Sequence, residues 1–488
     1  MSTRPNLLYI LSDQHTQKIS GCYGDPLAPT PNLDRLAARG VTFDNAYTPS
    51  PLCTPARMAL LTGRHPSTQS CWTNSDALAS DIPTFANAMG AGGLAPTLIG
   101  RLHSIGPDQM RGYAERLVGD HSTNWVGGHA HSLGVLDKTN DPFRESIERS
   151  GPGQSSYELK DRDVTAATLA WLDGRAGRSK PFCLSVGYLL PHQPYVCAAD
   201  DYRRYGGRVG LPALAVPDDE HPYLHWWREH TGSLDLPDEA VIRARTAYYG
   251  LVTSFDRLVG AILDRLDALG LAENTLVIYV SDHGDQIGKR GLWWKQTFYE
   301  ESVKVPLIMA WPGVLPEGER RSQTLNLIDL GPTMLEALGA PALPNTQGRS
   351  FLQVAKDAAT PWLDETFSEY CTDGMAPWAG TQPVQQRMIR RGRWKLVYYH
   401  GHRPQLFDLE DDPTELNDLA AKPRYAGLCD ALTDRVLADW DPEAIARRMA
   451  GRIASKRLLQ AWARAVDPPD SYRWPIKMED NWLEQAAE

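Results

Sequence analysis

Two stretches decide the fold: NLLYILSDQ at residues 6–14 and TLVIYVSDHGD at residues 275–285. Each is an apolar, aromatic and β-branched run that stops abruptly at serine and aspartate. An unbroken apolar run of this length, bounded by polar turn formers, reads as a strand buried on both faces. Around them lie segments with helical spacing. PNLDRLAARG (31–40) opens on Pro31 and stops at Gly40. FDRLVGAILDRLDALG (255–270) places Leu258, Val259, Ile262, Leu263, Leu266 and Leu269 along one face and ends on Gly270. PFCLSVGYL (181–189) and VPLIMAW (305–311) read as further buried strands. Strands separated by helices predict an α/β fold with a large, mostly parallel central sheet and helices on both faces. Such sheets bind ligands beyond the carboxyl ends of their strands. That rule singles out Ser12 to Gln14 and Ser281 to Asp285.

The 488 residues amount to about three average domains, or one large domain with an appendage. With 42% hydrophobic and 23% charged residues, a disordered or collagenous chain is excluded. Fifty Lys and Arg against sixty Asp and Glu give a net charge of −10, which argues against nucleic-acid binding. No apolar run approaches the roughly 20 residues that cross a bilayer. Leu7 to Leu11 is too short for a signal-peptide core and no small-residue cleavage site follows it. The seven cysteines (22, 53, 71, 183, 197, 371 and 429) are scattered and lack CxxC spacing, so neither a disulfide framework nor a zinc site is expected. A cytoplasmic protein without membrane association is the resulting expectation.

After about residue 375 the pattern changes. RGRWKLVYYH (391–400) and QLFDLEDDP (405–413) read as antiparallel strands, and a helical stretch runs from about Glu443 to Val466. The expected division is a catalytic domain over 1–375, a small C-terminal α+β subdomain over 376–440, and a helical, aromatic-rich tail over 441–488. Trp440, Trp462, Trp474 and Trp482 place too much aromatic surface in that tail for a free end, so it is expected in a subunit interface or over a pocket.

Asp13, Asp282 and His283 are candidate metal ligands, with Gln14 as a neutral oxygen donor. Oxygen-rich ligation with one imidazole suits Ca²⁺, Mg²⁺ or Mn²⁺. Either cluster taken alone also reads as a helix cap or turn. A third segment, PSPLCTPARMALLTGRHP (49–66), sets Cys53 in a Pro-flanked turn before a helix with an early Arg57. By chemistry alone Cys53 is either an activated thiol or an ordinary buried cysteine.

At this point the chain resembles the type I sulfatases of the alkaline-phosphatase superfamily. The resemblance is carried by NLLYILSDQ, TPNLDRLAARGVTFDNAY, CTPARMALLTGRHP, LIGRLH, PHQPY, SDHGDQIGKRGLWWK, VPLIMAWPG and LFDLEDDPTELNDLA, in that order. In that family the Cys of C-[ST]-P-x-R is oxidised to formylglycine by a formylglycine-generating enzyme. The resemblance implies that Cys53, so modified, is nucleophile and metal ligand. Asp13, Gln14, Asp282 and His283 are then the other ligands of one divalent cation, Ca²⁺ or Mn²⁺ ahead of Mg²⁺. Arg57 would hold and polarise the formylglycine hydrate. Arg101-Leu102-His103 stands where the family commonly has Lys-x-His; Arg keeps the charge but is a poor proton donor. His192 and Lys295 match positions around the sulfate and leaving oxygen, and Asn74 resembles an Asn that binds sulfate oxygens. One hydroxyl of the hydrate attacks sulfur; the second later loses its proton and expels sulfate. A homo-oligomer, dimer or tetramer, is expected.

Within the family the chain looks most like the choline-sulfatase and phosphonate-monoester-hydrolase branch, through ASDIPT (79–84), GPDQMRGY (106–113) and the SDHGD segment. A quaternary ammonium calls for aromatic faces and a carboxylate. Candidates are Trp125, Trp293, Trp294, Trp378 and Tyr370, with Glu369 as the anion; each also reads as packing. GDHSTNWVGGHAHSLGV (119–135) departs from choline sulfatase, which leaves a small alkyl or aryl sulfate as the broader expectation. Two alternatives stand beside it: a phosphonate monoester or phosphodiester hydrolase on the same scaffold, and a silent binding protein with unmodified Cys53.

Overall fold

The computed structural model describes residues 4–376, 379–380 and 383–484; Trp378 lies outside the described residues. The strands of the main sheet are β1 (Asn6–Asp13), β2 (Val41–Tyr47), β3 (Pro96–Gly100) and β4 (Glu115–Leu117). β5 (Gly151–Gln154) and the short β7 (Val196–Cys197) pair with each other outside it, and the main sheet continues with β6 (Cys183–Pro191) and β8 (Thr275–Ser281). β9 (Lys304–Val305), β10 (Leu307–Ala310) and β11 (Glu319–Asn326) complete the set. The sheet order is β11-β2-β10-β8-β1-β6-β3-β4, with β9 beside β2. β1 runs parallel to both β6 and β8, and β3 runs parallel to β6 and β4. The VPLIMAW stretch is the exception, because β10 is antiparallel to β8 and to β2. The mostly parallel α/β architecture read from the sequence is therefore the observed one.

Side chains of β1 alternate between two cores, as a pleated strand requires. Leu8 and Ile10 join one cluster with the helices Ser156–Asp173 and Asp238–Ala268. Leu7, Tyr9 and Leu11 join another with the helices Cys53–Thr62 and Leu330–Leu338. β8 divides in the same way, with Val277 and Tyr279 on one face and Leu276, Ile278 and Val280 on the other. Burial on both faces explains why these strands are apolar throughout.

A second sheet, β12 (Glu365–Cys371), β13 (Gln385–Arg391), β14 (Trp394–Tyr399) and β15 (Gln405–Asp408), is antiparallel in chain order. Phe367, Ile389, Leu396 and Leu406 pack it onto Leu432 and Val436 of the helix Ala426–Leu437. The helix Pro442–Val466 then crosses back toward the main sheet, anchored by Lys456, whose Nζ lies 2.8 Å from Asp76 and 2.6 Å from Asp373. Beyond it the chain folds over its own residues 119–131 and ends in β16 (Trp482–Leu483), paired to β5. Among the described residues no helix is long and apolar enough to cross a membrane.

Candidate active site

Every main element of the site leaves the carboxyl end of a parallel strand. Pairing of Ser12 with Ser281 sets the ends of β1 and β8 side by side, so Asp13 and Asp282 emerge as neighbours. Cys53 begins the helix Cys53–Thr62, and Arg57 lies one turn along on the same face. Arg101 and His103 follow β3, and His192 follows β6. Gly100 and Gly187 bring the ends of those strands together: a Cβ at Gly187 would lie 2.0 Å from the Arg101 carbonyl oxygen. That close approach lets the Arg101 amide donate to the Gly187 carbonyl at 2.8 Å.

Asp13, Cys53, Asp282 and His283, all buried, offer one ligand atom each within 4.8 Å of one another. The imidazole tests whether a cation fits. His283 Nδ1 lies 3.1 Å from the Gly284 carbonyl, which assigns the proton there and leaves the Nε2 lone pair inward. That lone pair meets Asp13 Oδ1 at 3.6 Å, Asp282 Oδ1 at 3.5 Å and Cys53 Sγ at 3.2 Å. Asp282 Oδ1 already accepts the amides of Gln14 and His283, and Lys295 reaches Sγ, but the His283 lone pair and Asp13 Oδ1 have only the thiol proton between them; a divalent cation would satisfy both. Burial also pushes His283 down to about 4, so the imidazole is neutral and ready to ligate at physiological pH.

The remaining carboxylate oxygens face two arginines. Arg57 donates from Nε to Asp282 Oδ2 at 2.8 Å and from a terminal nitrogen to Asp13 Oδ2 at 3.0 Å. Arg101 Nε donates to the same Asp13 oxygen at 2.7 Å. Burial works against the Asp13 charge, yet Arg101 and Arg57 hold its carboxyl well below the usual carboxylate range. These contacts give both arginines a further task. Among the described residues none of Arg57's hydrogen bonds goes to Cys53; they brace the two carboxylates from behind. Arg101 also reaches Asp120 at 3.2 Å and His103 Nδ1 at 2.8 Å, so its donors are spent on orienting protein groups.

On the other side of Cys53, Lys295 Nζ lies 3.1 Å from Sγ, 2.6 Å from Gln14 Oε1 and 3.0 Å from His192 Nε2. His192 Nδ1 meets the Gln193 carbonyl at 2.5 Å, so Nε2 is the acceptor for the lysine. Burial, then Lys295, pushes His192 down to about 4. Asn74 Oδ1 accepts the Thr54 amide at 3.0 Å and so borders the first turn of the Cys53 helix.

Sequence reasoning missed the residues that fix Gln14. Its Nε2 donates to Asp285 Oδ2 and to Gln193 Oε1, both at 2.6 Å, which turns Oε1 toward the lysine. Tyr195 holds the same Asp285 oxygen at 2.7 Å. Asp285 closes the SDHGD run, and Gln193 and Tyr195 sit inside PHQPY, so the signal was the motif itself. Among the described residues the candidates for an ammonium cage are taken up by packing and hydrogen bonds. Trp293, Trp294, Tyr370 and Glu369 are all at most 1% exposed. Trp294 Nε1 donates to Ser146, and Glu369 accepts from Ser67. They are core residues, and Trp125 packs edge-on against Trp462 at 5.3 Å.

The sulfatase family pattern matches residues 5–340, and that of the C-terminal region of N-sulphoglucosamine sulphohydrolase matches 288–440. The chain is 33% identical to a choline-sulfatase of Rhizobium meliloti (strain 1021), covering 90% of this chain and 88% of that protein. It is 31% identical to the multifunctional alkaline phosphatase superfamily protein PehA of Trinickia caryophylli, covering 87% of this chain and 93% of that protein. Its fold is similar to a phosphonate monoester hydrolase of Silicibacter pomeroyi, with a TM-score of 0.75 at 24% identity over 89% of this chain and 95% of that one. With strand-end carboxylates, an imidazole and CTPAR in one buried cluster, and the family pattern spanning more than two-thirds of its length, the chain belongs to the sulfatase family and is a sulfuric ester hydrolase.

Proposed function

We propose that the chain hydrolyses a small sulfate monoester (alkyl, choline or aryl) to alcohol and sulfate, with formylglycine made from Cys53 as nucleophile. One divalent cation, Ca²⁺ or Mn²⁺, would be held by Asp13, Gln14, Asp282, His283 and residue 53. The observation that carries this reading is the position of Cys53 Sγ, 3.2 Å from His283 Nε2 and 3.1 Å from Lys295 Nζ. When bound, the cation would supply charge stabilisation and acidify a hydroxyl beside it, and formylglycine would supply that hydroxyl. Arg57 and Arg101 keep Asp13 ionised and in place. Lys295 and His192 meet beside residue 53, where Lys295 Nζ would stabilise the transferring group and pass a proton to the departing alkoxide while the neutral His192 Nε2 holds it in place. His103 and Asn74 flank the sulfate oxygens.

Maturation by a formylglycine-generating enzyme, a cytoplasmic setting and a homo-oligomer belong to the same proposal. Assembly is supported by Leu458, Trp462 and Val466, exposed at i, i+4 and i+8 of one helix. The test is kcat/KM for choline sulfate, 4-nitrophenyl sulfate and a phenyl phosphonate monoester, with Mn²⁺ and Ca²⁺ in turn. Peptide mass first verifies formylglycine at 53. A leading sulfate ester supports the proposal. A leading phosphonate would favour the second reading, a phosphonate monoester or phosphodiester hydrolase using the same residues, which the 31% identity to PehA keeps in play.

A further inference from the structure

We infer that the C-terminal segment 469–474 is a positioning element for the active site, acting through Asp120 on Arg101 and His103. This rests on the proposed membership of those two residues in the catalytic set. Asp120 is held on both sides of its backbone by the segment: its amide donates to the Tyr472 carbonyl at 2.9 Å, and its carbonyl accepts the Trp474 amide at 2.6 Å. Its buried carboxylate points the other way. Oδ2 accepts the His103 amide at 2.6 Å, and Oδ1 accepts Arg101 at 3.2 Å. One residue thus joins the far end of the chain to the strand-end loop that carries Arg101 and His103.

The connection is built from several contacts. Asp470 Oδ1 accepts the Asn124 amide at 2.7 Å and the Thr123 hydroxyl at 3.2 Å. Arg473 donates to the His121 carbonyl at 3.3 Å and the His129 carbonyl at 2.8 Å. Gly119 is shaped for the segment, since a Cβ there would lie 1.4 Å from the Tyr472 carbonyl oxygen. No shift of a side chain relieves a clash with backbone, so any larger residue at 119 must lift the segment off. His103 also needs outside support, because its φ of 57° is a conformation that non-glycine residues adopt only when neighbours enforce it. The Asp120 carboxylate on the His103 amide provides that support.

The experiment is a double-substitution cycle on the full-length, formylglycine-bearing protein, with 4-nitrophenyl sulfate turnover and the ring ¹⁵N signals of His103 as readouts. Asp470→Ala and Gly119→Ala, away from the substrate, should each lower kcat about tenfold with KM changed less than about twofold, because misorientation of a reacting set costs rate before affinity. Asp120→Asn should lower it further. Adding Asp470→Ala to Asp120→Asn should then cost nothing more, and all variants should shift the same His103 signals. Multiplicative losses in the double variant, or wild-type kcat and unmoved His103 signals in Asp470→Ala, overturn the inference. Should Asp120→Asn not fold, Asp470→Ala and Gly119→Ala still decide. An inactive wild type with intact formylglycine counts against the proposed reaction; the His103 signals then still report on the positioning element.

Discussion

Asp285→Asn isolates the contribution of a residue that would touch neither the proposed cation nor the substrate. The native carboxylate accepts four hydrogen bonds: Oδ2 from Gln14 Nε2 at 2.6 Å and Tyr195 at 2.7 Å, Oδ1 from the amides of Ile287 at 2.8 Å and Trp294 at 3.1 Å. Asparagine has the same shape but replaces one oxygen with a two-hydrogen donor. Turned toward the backbone, the new NH₂ confronts two amides that cannot move. Turned toward Gln14, it faces one donor that can rotate, Tyr195, and one amide that must flip. The second arrangement is the cheaper. A flipped Gln14 then presents its NH₂ to Lys295 and withdraws its oxygen from the cation cluster. One buried donor left unsatisfied costs roughly 1–3 kcal/mol, and loss of a residue that orients a ligand typically costs about 10–100-fold in metal affinity. Calorimetric Mn²⁺ titration of the folded variant should therefore show Kd raised by about that factor, with a lowered Tm. A variant that binds Mn²⁺ within about twofold of wild type would refute the claim that Asp285 sets the Gln14 amide.

Two further outcomes follow from the structure. Burial, with Arg387 adding to it, pushes His65 down to about 3, below its unfolded value near 6.5. Between those values the unfolded chain binds more protons than the native one. The stability of wild type relative to His65→Gln should thus be level above pH 6.5 and decline as pH falls below it, by up to about 1.4 kcal/mol per unit; parallel denaturation profiles would count against this. Leu458→Glu with Val466→Glu should reduce the mass seen in sedimentation without changing the per-subunit rate, and an unchanged mass would remove that helix face from any proposed interface.

The sequence alone determined the parts of this protein that depend on local chemistry. An apolar run such as NLLYIL reads as a doubly buried strand, and strand ends such as SDQ and SDHGD then fall at the rim where parallel sheets bind ligands. CTPAR, read beside them, singled out residue 53 as the proposed nucleophile position. What the sequence could not fix was direction and partnership. The motif assigns Arg57 to the formylglycine hydrate and Arg101 to the place of the family's Lys, but it does not show that carboxylates at the ends of β1 and β8 also engage them in the folded chain. Trp293 and Trp294 read from the sequence either as part of an ammonium cage or as packing, and packing against Tyr195 and a hydrogen bond to Ser146 decide for the second. Asp120 and the segment at 469–474 lie about 350 residues apart, and no periodicity or spacing links them. Only tertiary structure decides such matters, because a side chain's charge and shape are local properties, whereas the partner that satisfies it is whatever the folded backbone brings within about 3 Å.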